Sequence, residues 1–387
     1  MIVTPKIRGF ICTTAHPVGC AINTEQQINY AKKHEINGTK RVLVIGSSGG
    51  YGLAARIVGA FSCGADTVGV SFDRPSSGSR TATSGWYNNM AFEKLATRSG
   101  RMALTINGDA FSDEVKNEAI EAIRKLPGGQ VDLIIYSLAS PKRTDPSSGN
   151  TYSSVLKPIG SEFSGKTVDV HTGAVTEAKI SPANEEEIAH TVAVMGGQDW
   201  VLWAKALYKA GVIAQNAKTV AFSYIGPTVT HAIYKDGTIG KAKEDLERGA
   251  DEITELLQPL GSKAYVAVCK ALVTQASSAI PVVPLYISII YKLMKENGTH
   301  EGCIEQMVRM MQRIYTDGDI PLDEKGRIRM DDLEMSDEIQ QSLNTIWSDI
   351  NSDNIMEKSD LEGYRKDFYR IFGFEVDDVD YSVDVEI

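Results

Sequence analysis

The 387-residue chain lacks the marks of several protein classes. Its five cysteines, Cys12, Cys20, Cys63, Cys269 and Cys303, are odd in number, scattered, and form no C-x-x-C pair. That pattern suits reduced thiols in a cytoplasm better than a disulfide framework or a zinc site. No cluster of His, Cys and carboxylate residues has metal-ligand spacing, so no metal is expected. Long apolar runs are missing too. The most apolar segment, Ile280 to Met294, is interrupted by Pro281 and Pro284. It is too short to span a bilayer and predicts a buried helix with a kinked entry. The first residues, Met1 to Arg8, carry charge and offer no small-residue cleavage site, which argues against a signal peptide. A basic excess is also absent. The net charge is -10 and the pI about 5.2, which speaks against nucleic acid or an anionic membrane as the main partner. The expectation is a soluble cytoplasmic protein.

What is present is one alternating β/α pattern without repeats or low-complexity linkers. Apolar runs at Arg41–Ile45, Thr67–Phe72, Met102–Ile106, Val131–Tyr136, Thr219–Tyr224 and Ala264–Val268 read as buried parallel strands. Helical stretches at Leu53–Phe61 and Asp113–Lys125 join them. This predicts an α/β fold: a doubly wound, mostly parallel Rossmann-type sheet, short-chain-dehydrogenase-like, with extra helices and loops over the substrate site. Residues 1–387 read as a single elaborated dinucleotide-binding domain. Within it, 141–184 is rich in Gly, Ser, Thr, Pro and Asp and reads as an extended loop insertion, since no second β/α series follows. Residues 280–387 read as a helical C-terminal part packed on the sheet.

Between the first strand and helix lies Gly46-Ser47-Ser48-Gly49-Gly50-Tyr51-Gly52. Glycines there permit a tight turn and close approach of the backbone to a pyrophosphate, which would sit at the positive helix N-terminus. An acid near the end of the second strand should hold the ribose hydroxyls, and Asp73 stands about 27 residues beyond Gly46. Its carboxylate would repel a 2′-phosphate, favouring NADH, although the adjacent Arg74 could accept that phosphate. Asp109 and Ala110 follow the third strand, where adenine contacts are usual. Leu138 and Ala139 follow the fourth, beneath the nicotinamide ribose. Tyr224 ends the fifth, so all three points face the crevice at the strands' carboxyl ends.

Tyr234 and Lys243 have eight residues between them. A phenol's ordinary pKa of about 10 makes it a poor acid, and an ammonium nearby would favour the phenolate. At about 100° per residue, a continuous helix would turn the two side chains apart, so the chain must bend at Asp236-Gly237 or Gly240. A Tyr-x-x-x-Lys spacing also occurs at Tyr291 and Lys295, but far later than a ketoreductase would place it. That alternative, and a dinucleotide-sensing protein without catalysis, are the competing readings. His16 and His300 are isolated and read as structural, and Cys303 as a buried thiol.

These residues carry a resemblance. The chain resembles the FabV-type enoyl-thioester reductases, the group of trans-2-enoyl-CoA and enoyl-acyl-carrier-protein reductases. The likeness rests on Gly9–Cys12, Ala15–Cys20, the glycine loop, Gly85–Asn88, Asn107–Ser112, Tyr136–Pro141, Val194–Gly197, the Tyr234/Lys243 pair, Leu272–Pro281, Pro284–Tyr286 and His300–Gln306. It departs at Asp73, where a glutamate is usual, and at Gly49-Gly50, where another small residue is often seen. The resemblance implies NADH-dependent reduction of the C2=C3 bond of enoyl thioesters in fatty acid biosynthesis. The substrate would be bound to coenzyme A or acyl carrier protein, and the enzyme would be a monomer. It implies Tyr234 as proton donor, Lys243 as ribose ligand and tuner of Tyr234, and Tyr224 as a substrate contact. The implied NADH contacts are Gly46, Ser47, Ser48, Gly49, Gly50, Tyr51, Phe72, Asp73, Asp109, Ala110, Leu138, Ala139, Leu272, Val273 and Thr274. The apolar stretch from Ile280 to Leu293 would line the acyl channel or serve as core.

Overall fold

The computed structural model describes residues 1–9 and 11–387. Phe10, within the Gly9–Cys12 stretch compared above, lies outside them. Among the described residues, seven strands form one parallel sheet: β1 (Arg41–Ile45), β2 (Asp66–Ser71), β3 (Ala103–Asn107), β4 (Val131–Tyr136), β5 (Ile213–Ser223), β6 (Lys263–Val268) and β7 (Ile328–Arg329). Their order is β7-β6-β5-β4-β1-β2-β3. The order reverses between β1 and β4, which opens a crevice beyond the carboxyl ends of those strands.

Alternate residues explain why the strands read as unbroken apolar runs. Leu43 and Ile45 pack on one face with helices Asp113–Arg124, Gln198–Lys209 and Thr238–Leu256. Val42 and Val44 pack on the other with Gly50–Phe61, Pro17–Ala31 and Cys303–Ile314. Both faces are buried, so neither position tolerates a polar side chain.

Strand β5 begins at Ile213, earlier than the expected Thr219, because Asn216 takes a left-handed φ of 57° and the pairing with β4 shifts between Ile213 and Lys218. The polar Gln215-Asn216 pair hides this extension in the sequence. Strand β7 was not expected. It is two residues long, pairing Ala267 with Ile328 and Val268 with Arg329.

The 141–184 segment holds two antiparallel hairpins, Lys142–Thr144 with Thr151–Ser153 and Phe163–Val168 with Val175–Ile180. The apolar segment forms helix Val283–Glu296 behind a 3-10 turn at Ser277–Ala279, the expected kinked entry. Helix Cys303–Ile314 packs against the sheet and β7 joins its edge, but the last two long helices do not pack there. Helices Asp337–Asp349 and Leu361–Arg370 lie against Val283–Glu296 instead, in a third core with Leu343, Tyr364 and Phe368. Their apolar residues are spaced for a helical partner, and the outer face of the sheet is already taken. Cys303, expected to be buried, is only half-buried at the start of its helix. No helix among the described residues is long and apolar enough to cross a membrane.

The chain bends between Tyr234 and Lys243 as the spacing requires. Gly237 starts helix Thr238–Leu256, and the Gly240 N–H donates to the Tyr234 carbonyl (2.9 Å). A Cβ on Gly240 would lie 1.7 Å from the Lys235 carbonyl oxygen, whereas one on Gly49 would meet nothing within 4 Å. Gly240→Ala is therefore expected to lower stability by about 2 kcal/mol or more, and Gly49→Ala by less than about 0.5 kcal/mol, as read from denaturant midpoints.

Candidate active site

The glycine loop is built for close approach. Gly46 has a φ of 88°, and a Cβ there would lie 2.1 Å from the Ser137 carbonyl oxygen. A Cβ on Gly52 would lie 1.9 Å from the Gly46 carbonyl oxygen, so the helix is drawn against the turn. The Ser47 N–H and hydroxyl both donate to the Val70 carbonyl, turning that side chain inward to brace the loop. Ser48, Gly49 and Gly50 face outward, and the Ser48 carbonyl accepts from Asn88 (3.0 Å). Helix Gly50–Phe61 has no side-chain cap and no acid in its first turn, leaving its first N–H groups for an anion. The Tyr51 hydroxyl donates to the Lys270 carbonyl (2.7 Å), tying the loop to the end of β6.

Asp73 stands beyond the end of β2. Its Oδ1 accepts from the Thr83 hydroxyl (2.8 Å), while Oδ2 is buried with no partner among the described residues. Only a glycine fits beside it, because a Cβ on Gly85 would lie 2.3 Å from Oδ1. A buried carboxylate oxygen without a donor is costly unless a ligand hydroxyl supplies one. Beside it Phe72 is 80% exposed, a ring free to lie against a flat partner. The residues present thus fit a dinucleotide: a backbone cradle for pyrophosphate, an unpaired acceptor for ribose and an exposed aromatic edge.

Asp109 and Ala110 follow β3, and their loop is held from below. Buried Lys116 donates to the carbonyls of Ala110 (3.2 Å) and Phe111 (2.8 Å) and pairs with buried Asp199 (2.9 Å). Asp199 also accepts from the Tyr136 hydroxyl (3.0 Å). Leu138 and Ala139 lie at the end of β4, half-buried and exposed. Leu272 and Val273 are buried after β6, where the Val273 N–H donates to the Tyr291 hydroxyl (3.2 Å), and Thr274 is braced by Ser277.

Tyr224, Tyr234 and Lys243 converge at the carboxyl end of β5. The two phenol rings meet edge to face, centroids 4.9 Å apart. Lys243 Nζ donates to the Phe222 carbonyl (3.0 Å). Among the described residues nothing hydrogen-bonds the Tyr234 hydroxyl, which is thus free to engage a substrate oxygen. Burial, then the neighbouring Cys269 thiol, push the Tyr234 phenol up. Burial lowers the Lys243 ammonium to about 8. The expected tuning of Tyr234 by Lys243 is therefore not found in the protein alone, where burial dominates the phenol; the ammonium gives one of its three donors to the Phe222 carbonyl and keeps the others for a ligand.

Several supporting residues carried no sequence signal. Glu334, fully buried, accepts from the hydroxyls of Tyr224 (3.2 Å) and Tyr286 and from the Ala271 N–H (2.7 Å). The Lys116–Asp199 pair is equally silent in sequence. Tyr291 and Lys295 do not form a site. Lys295 pairs with Asp360 at the surface and lies over the Tyr291 ring rather than its hydroxyl. His16 caps helix Pro17–Ala31 by accepting from the Gly19 N–H, and His300 packs against Tyr291.

Known protein families match nearly the whole chain. Residues 80–315 match the family described as the trans-2-enoyl-CoA reductase catalytic region, and residues 2–78 the NAD(P)H binding domain of trans-2-enoyl-CoA reductase. Residues 322–385 match a family described as an enoyl reductase FAD binding domain. The chain is 56% identical to the trans-2-enoyl-CoA reductase [NADH] of Ruminiclostridium cellulolyticum, covering 100% of this chain and 98% of the relative. It is also 56% identical to an enoyl-[acyl-carrier-protein] reductase [NADH] of Coxiella burnetii, covering 100% and 96%. The crystal structure of the Clostridium acetobutulicum trans-2-enoyl-CoA reductase in complex with NADH superposes with a TM-score of 0.97 at 45% identity, covering 100% and 98%. The 322–385 stretch does not fit a flavin. Its glycines, Gly326, Gly363 and Gly373, form no cluster, and Gly373 is pressed against Cys20 and His16. Leu343, Tyr364 and Phe368 are buried in the third core.

Proposed function

The chain belongs to the trans-2-enoyl-CoA reductase family, and on that premise we propose that it reduces the C2=C3 double bond of trans-2-enoyl thioesters with NADH. The observation that carries this reading is the free Tyr234 hydroxyl beside Tyr224 and Lys243 at the mouth of the dinucleotide crevice. When bound, NADH supplies a hydride to C3. The electron pair of the double bond then moves toward the thioester oxygen, which gains negative charge. Tyr234 donates to that oxygen. The phenol is protonated at neutral pH at its ordinary pKa of about 10 and burial pushes it higher, so it stabilises the charge as a hydrogen-bond donor. As the enolate collapses, the phenol O–H bond breaks, the proton goes to C2 to complete the saturated thioester, and solvent restores the phenol. Tyr224 contacts the same thioester, and Lys243, charged below about 8, holds the ribose. Gly46 to Tyr51, Phe72, Asp73, Asp109, Ala110, Leu138, Ala139 and Leu272 to Thr274 form the NADH surface.

Relatives named for coenzyme A and for acyl carrier protein are equally similar to this chain, so the reaction is assigned at the level of the enoyl thioester. Its unpaired thiols support a cytoplasmic setting.

Tyr234→Phe is expected to lower turnover of crotonyl-CoA at least about 100-fold, the worth of one oxyanion donor, while NADH binding is retained. Near-normal turnover would overturn the assignment. NADH affinity should be flat below about pH 8 and weaken above it as Lys243 loses its proton, a dependence absent from Lys243→Met. Fluorescence titrations across pH 6.5–9.5 (roughly ±1.5 units around that pKa) would read it. Asp73→Ser, by removing the charge that opposes a 2′-phosphate, should raise the NADPH/NADH ratio of kcat/KM about tenfold.

A further inference from the structure

The carboxylate of Glu334 is the acceptor for the Tyr224 hydroxyl. It is fully buried and receives three donors. Oε1 accepts from Tyr286 and from Tyr224 (3.2 Å), and Oε2 accepts from the Ala271 N–H (2.7 Å). Two further groups face it: the buried Lys270 ammonium, which favours the carboxylate, and Asp331, which disfavours it. Glu334 is delivered there by the segment after β7, where the Met330 and Asp331 N–H groups both donate to the Val268 carbonyl.

The three bonds are unequal. The Tyr224 bond is the longest, and the carboxylate is already supplied by Tyr286 and Ala271. A buried carboxylate that keeps two donors tolerates losing the third far better than one left bare. The Tyr224 ring meets Tyr234 edge to face, and its hydroxyl proton is on the longest of the three bonds, the one most easily exchanged. We propose that Glu334 is a positioning residue for the reduction, holding Tyr224 so that its hydroxyl proton transfers its hydrogen bond from the carboxylate to the incoming thioester oxygen. No covalent change occurs at Glu334: Tyr224 keeps its proton and only the acceptor changes. This rests on the reading of Tyr224 as a substrate contact.

Gln in place of Glu334 cannot reproduce the arrangement. Its oxygen can serve either the phenols or Ala271, and its NH₂ then meets a donor or reverses the bond to Tyr224. Three variants test the idea: Glu334→Gln, Tyr224→Phe and the double variant, each assayed for kcat and KM with crotonyl-CoA and for NADH affinity by fluorescence. Glu334→Gln should lower kcat/KM about tenfold or more, the loss expected for one charge-assisted hydrogen bond, with the NADH Kd within about threefold. The double variant should be no worse than Tyr224→Phe alone, because Glu334 acts through that hydroxyl. Additive losses would overturn the proposal, as would wild-type kinetics in Glu334→Gln while Tyr224→Phe is impaired. Wild-type kinetics in Tyr224→Phe would instead sink the reading of Tyr224 beneath it. Should Glu334→Gln fail to fold, Glu334→Asp takes its place. The shorter carboxylate keeps the charge but cannot span Tyr224 and Ala271 together, and the same cycle decides.

Discussion

The hydrogen bond from Lys243 to the Phe222 carbonyl is the joint on which the site is assembled. A half-buried ammonium needs an acceptor, and the last turn of a parallel strand offers a carbonyl that no neighbouring strand uses. The bond ties helix Thr238–Leu256, which packs on β6, to the end of β5. Tyr224, two residues beyond Phe222, and Tyr234, just before the helix, are thereby brought ring to ring. The geometry fails if the chain cannot turn tightly between Tyr234 and Lys243, and it turns because Gly240 lets the Lys235 carbonyl come where a side chain would stand. A strand end, a glycine and a cation thus do together what a single helix could not.

Burial then sets the chemistry. An exposed tyrosine–lysine pair would have the cation lower the phenol. Here both groups are taken out of water, which pushes the phenol up and the ammonium down, so each moves toward its neutral form. The pair is consequently a neutral donor beside a weakly held cation. A neutral phenol suits an oxygen that becomes charged only during the reaction, because it adds no competing charge to the resting site.

Much of this was legible in the sequence, and the boundary of legibility is physical. Strands β1, β2, β4 and β6 were readable because both of their faces are buried, which forces continuous apolar runs. The glycine loop, Asp73 and the bend before Lys243 were readable because backbone geometry and unsatisfied acceptors restrict residue type. Strand β7 was not, since two residues carry no period, nor was the early part of β5, whose Asn216 kink looks like a turn. Glu334 was invisible for a different reason. Nothing local distinguishes it from the other acids of the C-terminal stretch, and its role comes from contacts to Ala271, Tyr224 and Tyr286, more than 40 residues away. The Lys116–Asp199 pair is hidden in the same way, 83 positions apart. Sequence pattern reports what a residue does to its own segment, and these residues act on other segments.

That distinction also bears on the last stretch of the chain. Residues 322–385 match a family described by a flavin, yet their buried side chains are committed to this fold. Ile328 and Arg329 add a strand to the sheet, Glu334 accepts from the Tyr224 hydroxyl, and Leu343, Tyr364 and Phe368 close the third core over helix Val283–Glu296. The stretches matched as nicotinamide-binding, catalytic and flavin-binding all supply strands to one parallel sheet. A segment that completes the sheet, supplies the acceptor for the Tyr224 hydroxyl and buries Leu343, Tyr364 and Phe368 is spent on structure, and its three separated glycines offer no backbone cradle for a flavin's phosphates.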